Sequence, residues 1–191
     1  MRNIAVFASG SGTNAENIAK SFQADDAARV VVALANKADA GVHERMRNLR
    51  IPSLTFDNNV WAEHPEVVMD VLEGYHVDFV ALAGFLRQVH PMLVGRYKGR
   101  MLNIHPSLLP KFGGRGMYGM RVHRAVIEAA EKESGATVHL VTDVMDDGDI
   151  VLQGRVDVSE DETPESLAAK VHEVEMDIYP RAVRMMLGRL S

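Results

Sequence analysis

Short apolar runs alternate with segments of helical pattern along most of this 191-residue chain. The runs have the length and the β-branched content of strands that are buried on both faces. They occupy residues 3–9, 29–35, 51–56, 77–83 and 101–105. Strands and helices in this order predict βαβ units with right-handed crossovers. We therefore expect a single-domain, Rossmann-like α/β fold, with a mostly parallel twisted sheet and helices on both of its faces.

The C-terminal third departs from this pattern at an acidic turn, residues 142–149. The turn lies between apolar runs at 135–141 and 150–158, and it is too short to carry a crossover helix, so an antiparallel C-terminal strand is expected. Its carboxylates lack the spacing of a calcium-binding loop, and we expect no metal. The last helix should begin at Thr163, and Pro180 should kink or split it.

A glycine-rich turn, Ser9-Gly10-Ser11-Gly12-Thr13-Asn14-Ala15, joins the first strand to the helix that follows. Glycines let backbone N–H groups approach an anion, and a helix N-terminus attracts negative charge, so the turn favours a phosphate site. Two other interpretations stay open. One is a plain turn with Thr13 or Asn14 as N-cap. The other is a dinucleotide fingerprint, which is weakened because Asn36 and Lys37, rather than an acid, follow the second strand.

One strand ends at a histidine that is suited to chemistry. In Asn103-Ile104-His105-Pro106 the side chains alternate between faces, and Pro106 must end the strand. His105 then lies at the carboxyl end of the strand, where open α/β sheets bind their ligands, with the Asn103 amide on the same face. A histidine can move protons near neutral pH, and an amide N–H can stabilise an oxyanion. The alternative is a histidine satisfied by a local hydrogen bond.

Three other features belong to the same edge of the sheet or to its neighbourhood. Arg87 follows the strand at 77–83 and could meet an anionic ligand, or it could be a surface cation. Residues 111–119 are rich in glycine and could form a lid or a disordered loop. Residues 120–133 return to a helical pattern, from which His123 could face the site.

Composition excludes several classes of function. The chain has no cysteine, so disulfides and thiolate catalysis are excluded. A net charge of −5 argues against nucleic acid as a main partner. No apolar run is long enough to span a bilayer, and the N-terminal residues resemble a strand rather than a cleavable signal. We therefore expect a cytoplasmic protein that acts on small molecules, without nucleic-acid or membrane partners.

Four motifs together resemble the phosphoribosylglycinamide formyltransferase family, the folate-dependent glycinamide ribonucleotide transformylases. They are Ser9-Gly10-Ser11-Gly12-Thr13-Asn14, Ala83-Gly84-Phe85-Leu86-Arg87, Asn103-Ile104-His105-Pro106-Ser107-Leu108-Leu109-Pro110-Lys111 and Gly135-Ala136-Thr137-Val138-His139. The resemblance runs from residue 1 to about residue 188. It implies the formyltransferase type of the Rossmann-like fold, as a monomer or homodimer. Within a single domain, 1–191, residues 1–100 would form the phosphate-binding half and residues 101–191 the folate-binding and catalytic half.

The resemblance also implies the activity and the residues of the site. The activity is formyl transfer from 10-formyltetrahydrofolate to the amine of phosphoribosylglycinamide in purine synthesis, without a metal. The family's catalytic residues match Asn103, His105 and Asp146. Its substrate-binding residues match Gly12, Thr13, Asn14 and Glu175. Its folate-binding segments match Leu86, Arg87, Gln88 and Val89, together with Asn103 and with Thr142, Asp143, Val144, Met145 and Asp146.

In this scheme an amine attacks a formyl carbon, and Asn103 and a protonated His105 stabilise the resulting oxyanion. Asp146 would favour the charged imidazolium by proximity. Two segments depart from the family pattern: the 113–119 loop is longer than usual, and residues 57–66 lack an arginine that some members use near the folate. The alternatives are a formyltetrahydrofolate hydrolase, a nicotinamide-dependent oxidoreductase and a non-catalytic nucleotide-binding module.

Overall fold

The computed structural model describes residues 1–190, which contain seven strands and seven helices. The strands are β1 (Arg2–Ala8), β2 (Ala28–Ala35), β3 (Ser53–Thr55), β4 (Phe79–Leu82), β5 (Met101–His105), β6 (Glu133–Leu140) and β7 (Ile150–Asp157). The helices are α1 (Thr13–Ser21), α2 (Val42–Asn48), α3 (Asn58–Glu63), α4 (Pro65–Gly74), α5 (Pro91–Arg96), α6 (Met120–Glu128) and α7 (Pro164–Leu187). Within these residues, no helix is both long enough and apolar enough to cross a bilayer.

All strands of residues 1–190 form one sheet in the order β3-β2-β1-β4-β5-β6-β7. The strands from β1 to β5 are parallel, which confirms the expected βαβ arrangement. The strand order reverses between β1 and β4, and ligands of open α/β sheets bind at such a reversal, beyond the carboxyl ends of the strands. The loops after β1, β4 and β5 therefore surround the expected binding crevice.

The direction of β6 differs from the simple βαβ expectation. It runs antiparallel to β5, although α6 lies between the two strands in the chain. It is also antiparallel to β7, as the short acidic turn predicted. The local pattern of residues 135–141 does not determine direction, because strand pairing depends on distant partners. The reversed strand places β6 side chains directly opposite those of β5.

The strands contribute alternate side chains to two apolar layers, as expected for a sheet that is covered on both faces. From β1, for example, Ile4 and Val6 enter one layer, and Ala5 and Phe7 enter the other. Helices α1, α2, α6 and α7 cover the first layer, and α3, α4 and α5 cover the second. Both layers are anchored to the same strands, so the carboxyl ends of the strands form a rigid base for a site.

Two short helices, α3 and α5, are absent from the sequence-based assignment because six residues are too few to show a helical period. Each has a local start signal. The Asp57 carboxylate accepts the N–H groups of Asn59 and Val60 at 2.9 and 3.0 Å. The Nδ1 atom of His90 accepts the N–H of Met92 at 3.2 Å, before a proline in the first turn. Caps of this kind stabilise even a short helix.

Pro180 was expected to kink or split the last helix, and the structure shows that it does not split it. Helix α7 begins at the Thr163 cap, as predicted, and continues for 24 residues through Pro180. Proline lacks the N–H that would bond to the carbonyl of Met176. The side chain of Asn17 supplies the missing donor, with its Nδ2 2.7 Å from that carbonyl oxygen. The helix therefore continues because α1 compensates for the lost hydrogen bond.

Candidate active site

A cavity of about 1120 Å³ lies at the carboxyl ends of β1, β4 and β5, where the strand order reverses. Pockets for one small molecule usually measure roughly 300–1,000 Å³, so this cavity is slightly larger than the upper end of that range. Its wall includes the glycine-rich turn after β1, the loop after β4, the end of β5, the acidic turn after β6 and one face of α7.

The glycine-rich turn presents backbone donors at one end of this cavity. Gly12 is the N-cap of α1, with φ 76°, and it has no side chain to occupy the N–H groups of the first turn. A Cβ at this position would lie 2.6 Å from the Cα of Val42, so both space and conformation require glycine. The first-turn N–H groups of a helix have no partner within the helix. They are available to an anionic ligand in the cavity.

A buried carboxylate lies beside this turn. Glu175 on α7 is 9% exposed, and its Oε2 accepts hydrogen bonds from Asn14 Nδ2 at 2.9 Å and from His172 Nδ1 at 3.0 Å. The bond to Glu175 raises the pKa of His172 above its usual 6.5. Oδ1 of Asn14 is buried without a partner among residues 1–190. These polar groups face the same cavity as the turn.

The structure brings together three side chains that are far apart in sequence. On β5, Asn103 Nδ2 lies 3.4 Å from Asp146 Oδ1, and His105 Nδ1 lies 3.4 Å from Asp146 Oδ2. The side chains of His105 and Asp146 are only 5% and 8% exposed. The N–H of Gly114 donates to Asp146 Oδ2 at 2.9 Å, which also fixes the start of the glycine-rich 113–119 loop. We call Asn103, His105 and Asp146 the polar triad.

Strand β6 supports the triad from the side. Asn103 pairs with His139 and His105 pairs with Thr137 in the β5–β6 register. Nδ1 of His139 lies 2.9 Å from the carbonyl oxygen of Leu140, so Nδ1 carries the proton and Nε2 accepts from Asn103 Nδ2 at 3.1 Å. This bond sets the orientation of the Asn103 amide, with its N–H groups on the side of His139 and Asp146.

Burial controls the charges of the triad. It lowers the pKa of His105 below 6.5, and the nearby Asp146 carboxylate opposes the shift without reversing it. His105 is therefore mainly neutral at pH 7 in the unliganded chain. Its Nε2 donates to the carbonyl oxygen of Phe112 at 2.8 Å. Burial raises the pKa of Asp146, but hydrogen bonding to its carboxylate, including the 2.9 Å bond from the Gly114 N–H, holds the pKa below 3.8.

Comparison with known proteins identifies the family. A family model described as "Formyl transferase" matches residues 2–183. The phosphoribosylglycinamide formyltransferase of Haemophilus influenzae is 36% identical over 100% of this chain and 90% of its own length. The chain belongs to the phosphoribosylglycinamide formyltransferase family. The chloroplastic phosphoribosylglycinamide formyltransferase of Arabidopsis thaliana is 40% identical over 95% of this chain, and the chain spans 64% of that relative's length.

A solved structure agrees with this assignment. The glycinamide ribonucleotide transformylase 1 of Symbiobacterium toebii superposes with a TM-score of 0.90 at 36% identity, covering 98% of this chain and 88% of its own. The formyltransferase type of α/β fold, expected from the sequence motifs, is thus confirmed. A nicotinamide-dependent oxidoreductase is not favoured.

Most residues that the family resemblance placed in the site line this one cavity. They are Gly12, Thr13, Asn14, Leu86, Arg87, Gln88, Val89, Asn103, His105, Thr142, Val144, Met145, Asp146 and Glu175. Asp143 is the exception, because it is exposed and does not belong to the cavity wall. Its carbonyl oxygen accepts a hydrogen bond from Gln88 Nε2, which does line the cavity, at 3.2 Å.

Four histidines of the cavity wall received no firm role from the sequence: His90, His123, His139 and His172. For His139 the signal is the alternation of side chains along a strand. A residue of β6 that pairs with Asn103 must lie on the same face of the sheet as Asn103. His172 lies three residues before Glu175, which is one helical turn. Neither signal can be used until the direction of β6 and the position of α7 are known.

Proposed function

We propose that this chain transfers the formyl group of 10-formyltetrahydrofolate to the amine of phosphoribosylglycinamide. One observation carries the proposal: the polar triad lies in a cavity that also contains a glycine-rich anion site. A phosphorylated amine that is held at the turn would extend toward the triad.

The two substrates occupy different parts of the cavity in this proposal. The phosphate binds the first-turn N–H groups of α1, and the folate lies between the 86–89 loop and the 142–146 turn. The hydrogen bond from Gln88 to the Asp143 carbonyl joins these two segments. Residues 1–100 would supply the phosphate turn, and residues 101–191 would supply the triad. Each half also contributes to the other substrate: Leu86–Val89 would contact the folate, and Glu175 would contact phosphoribosylglycinamide.

Attack of the amine on the formyl carbon forms a tetrahedral intermediate with a negatively charged oxygen. Asn103 Nδ2, which gives up its long 3.4 Å contact with Asp146, and His105 Nε2 are the donors that stabilise this oxygen. His105 donates to the Phe112 carbonyl in the unliganded chain, and a charged oxygen is a stronger acceptor than a neutral carbonyl. The negative charge also raises the pKa of His105, so Asp146 then supports the protonated imidazole. Collapse of the intermediate breaks the bond to folate N10, which receives the proton lost by the amine.

A spectroscopic assay of tetrahydrofolate release tests this function. We expect release from 10-formyltetrahydrofolate only when phosphoribosylglycinamide is present, together with one equivalent of formylated product. Release without the amine would instead indicate a hydrolase. Absence of release under both conditions would reject formyl transfer altogether.

Replacing Thr13 with aspartate tests the anion site. Like charges about 4 Å apart repel by roughly 4 kcal/mol near a protein surface, so we expect KM for phosphoribosylglycinamide to rise at least tenfold. The KM for 10-formyltetrahydrofolate should stay the same. An aspartate in the first turn stabilises a helix, so loss of α1 would not explain the effect.

Thr13→Asn is the matched control, because it has similar size and no charge. Steady-state kinetics of both variants should show the rise in KM for Thr13→Asp alone. An unchanged KM in Thr13→Asp would place the phosphate elsewhere in the cavity.

A further inference from the structure

His123 is a buried histidine of the cavity wall that the proposed chemistry does not use. It lies on α6, it is 5% exposed, and its Nδ1 has no hydrogen-bond partner among residues 1–190. A buried polar atom without a partner destabilises a folded chain by about 1–3 kcal/mol, so its presence calls for an explanation. A role for the other ring nitrogen, Nε2, would account for why a histidine is kept on the cavity wall despite the cost at Nδ1.

His123 lines the same cavity as Glu175 and the polar triad. Its imidazole interacts electrostatically with Glu175, beside the anion site, and with His105 of the polar triad. Phosphoribosylglycinamide must span the interval between these two residues if its phosphate is at the glycine-rich turn and its amine is at the triad. The amide group of the substrate lies between its phosphate and its amine. His123 is therefore close to the part of the substrate that carries this amide.

The protonation of His123 follows from its burial. Burial lowers its pKa below 6.5, and the opposing effect of Glu175 is smaller, so the ring is neutral at pH 7. A buried N–H without an acceptor is rarer than a buried acceptor without a donor, which places the proton on Nε2 rather than on Nδ1. Because Nδ1 is shielded from solvent, Nε2 is the nitrogen that a ligand in the cavity can reach.

We propose that His123 is a substrate-binding residue that donates a hydrogen bond from Nε2 to the amide carbonyl oxygen of phosphoribosylglycinamide. This inference rests on the proposed function. The bond limits rotation about the glycyl carbon and directs the amine toward the triad. His123 donates this hydrogen bond in the ground state and in the transition state alike. Loss of the bond should therefore weaken substrate binding more than it lowers kcat.

Three substitutions at this position separate a donor role from a packing role. His123→Leu removes the donor, and we expect KM for phosphoribosylglycinamide to rise about tenfold while kcat changes little. His123→Gln places an N–H close to the position of Nε2 and should keep KM within about threefold of the parent value. His123→Asn places its N–H near the position of Nδ1 and should behave like His123→Leu. The KM for 10-formyltetrahydrofolate should be unaffected in all three.

A pair of carbocyclic substrate analogues completes the test, one with the amide carbonyl and one with a methylene group in its place. The parent chain should bind the carbonyl analogue about tenfold more tightly in calorimetry, and His123→Leu should bind both equally. If His123→Leu does not fold, as judged by thermal melting, the binding of the two analogues is compared in the Asn and Gln variants instead. The Gln variant should prefer the carbonyl analogue, and the Asn variant should bind both equally. Equal KM values for Gln and Asn, or discrimination between the analogues retained in His123→Leu, would overturn the inference. A parent chain that transfers no formyl group would reject the proposed function instead.

Discussion

Replacing His105 with alanine is expected to lower the turnover number for formyl transfer about 10²–10³-fold, the usual effect of removing one oxyanion donor. The Nε2–H of His105 is held in place by the Phe112 carbonyl at 2.8 Å and by burial, so the donor is oriented before the substrate arrives. Alanine offers no donor at this point. The KM for phosphoribosylglycinamide should change less than about threefold, because the phosphate is bound elsewhere.

Steady-state kinetics with both substrates varied would measure this difference. His76→Ala is a suitable control, since His76 is exposed and lies before β4, at the opposite end of the strand from the cavity. It should retain full turnover. A comparable loss of affinity and turnover in His105→Ala would mark the residue as structural, and the assignment of the oxyanion site would then be wrong.

Replacing Asp146 with asparagine is expected to reduce turnover about a hundredfold, at the upper end of the range for residues that orient a catalytic group. The carboxylate contacts all the groups that define the site, namely His105, Asn103, His139 and the Gly114 N–H. Asparagine is the least disruptive substitution, because Asp146 has φ 56° and asparagine tolerates this left-handed conformation. The variant therefore removes charge with little change in the backbone.

The same substitution has a spectroscopic consequence. The negative charge of Asp146 opposes the lowering of the pKa of His105, so removing this charge should lower that pKa further. An NMR titration of the His105 imidazole would detect the shift. Asp147→Asn is the matched control, because Asp147 is the exposed neighbour in the same turn, and it should alter neither the titration nor the turnover. A His105 pKa that rises in Asp146→Asn would contradict the proposed coupling.

Local patterns in the sequence predict much of this fold. The apolar runs locate the parallel strands, the glycine-rich turn locates the start of α1, and Thr163 locates the start of α7. Each of these features depends on a few neighbouring residues, so it can be predicted from a short stretch of sequence. The convergence of Asn103 with Asp146 could be proposed only through the family resemblance. Local periodicity does not determine where a turn between two distant strands will lie.

The features that local patterns do not determine have a common physical cause. The direction of β6, the continuity of α7 at Pro180 and the neutral state of His105 in the unliganded chain all depend on contacts between distant segments. Asn17 compensates for Pro180 from another helix, and burial by the whole fold outweighs the single neighbouring charge of Asp146. Sequence patterns describe the local preference in each case, and tertiary packing reverses it.

The reversed direction of β6 also determines where the chain can tolerate insertions and deletions. Because the β5–β6 pairing places Thr137 opposite His105 and His139 opposite Asn103, the site is aligned by the sheet rather than by the connection between the strands. Residues could be added or deleted within the 113–119 loop while these pairs stay in register. A single residue inserted into β6 between Gly135 and His139 would turn His139 to the other face of the sheet. Homologues should therefore vary in length in the loop and be uniform within the strand.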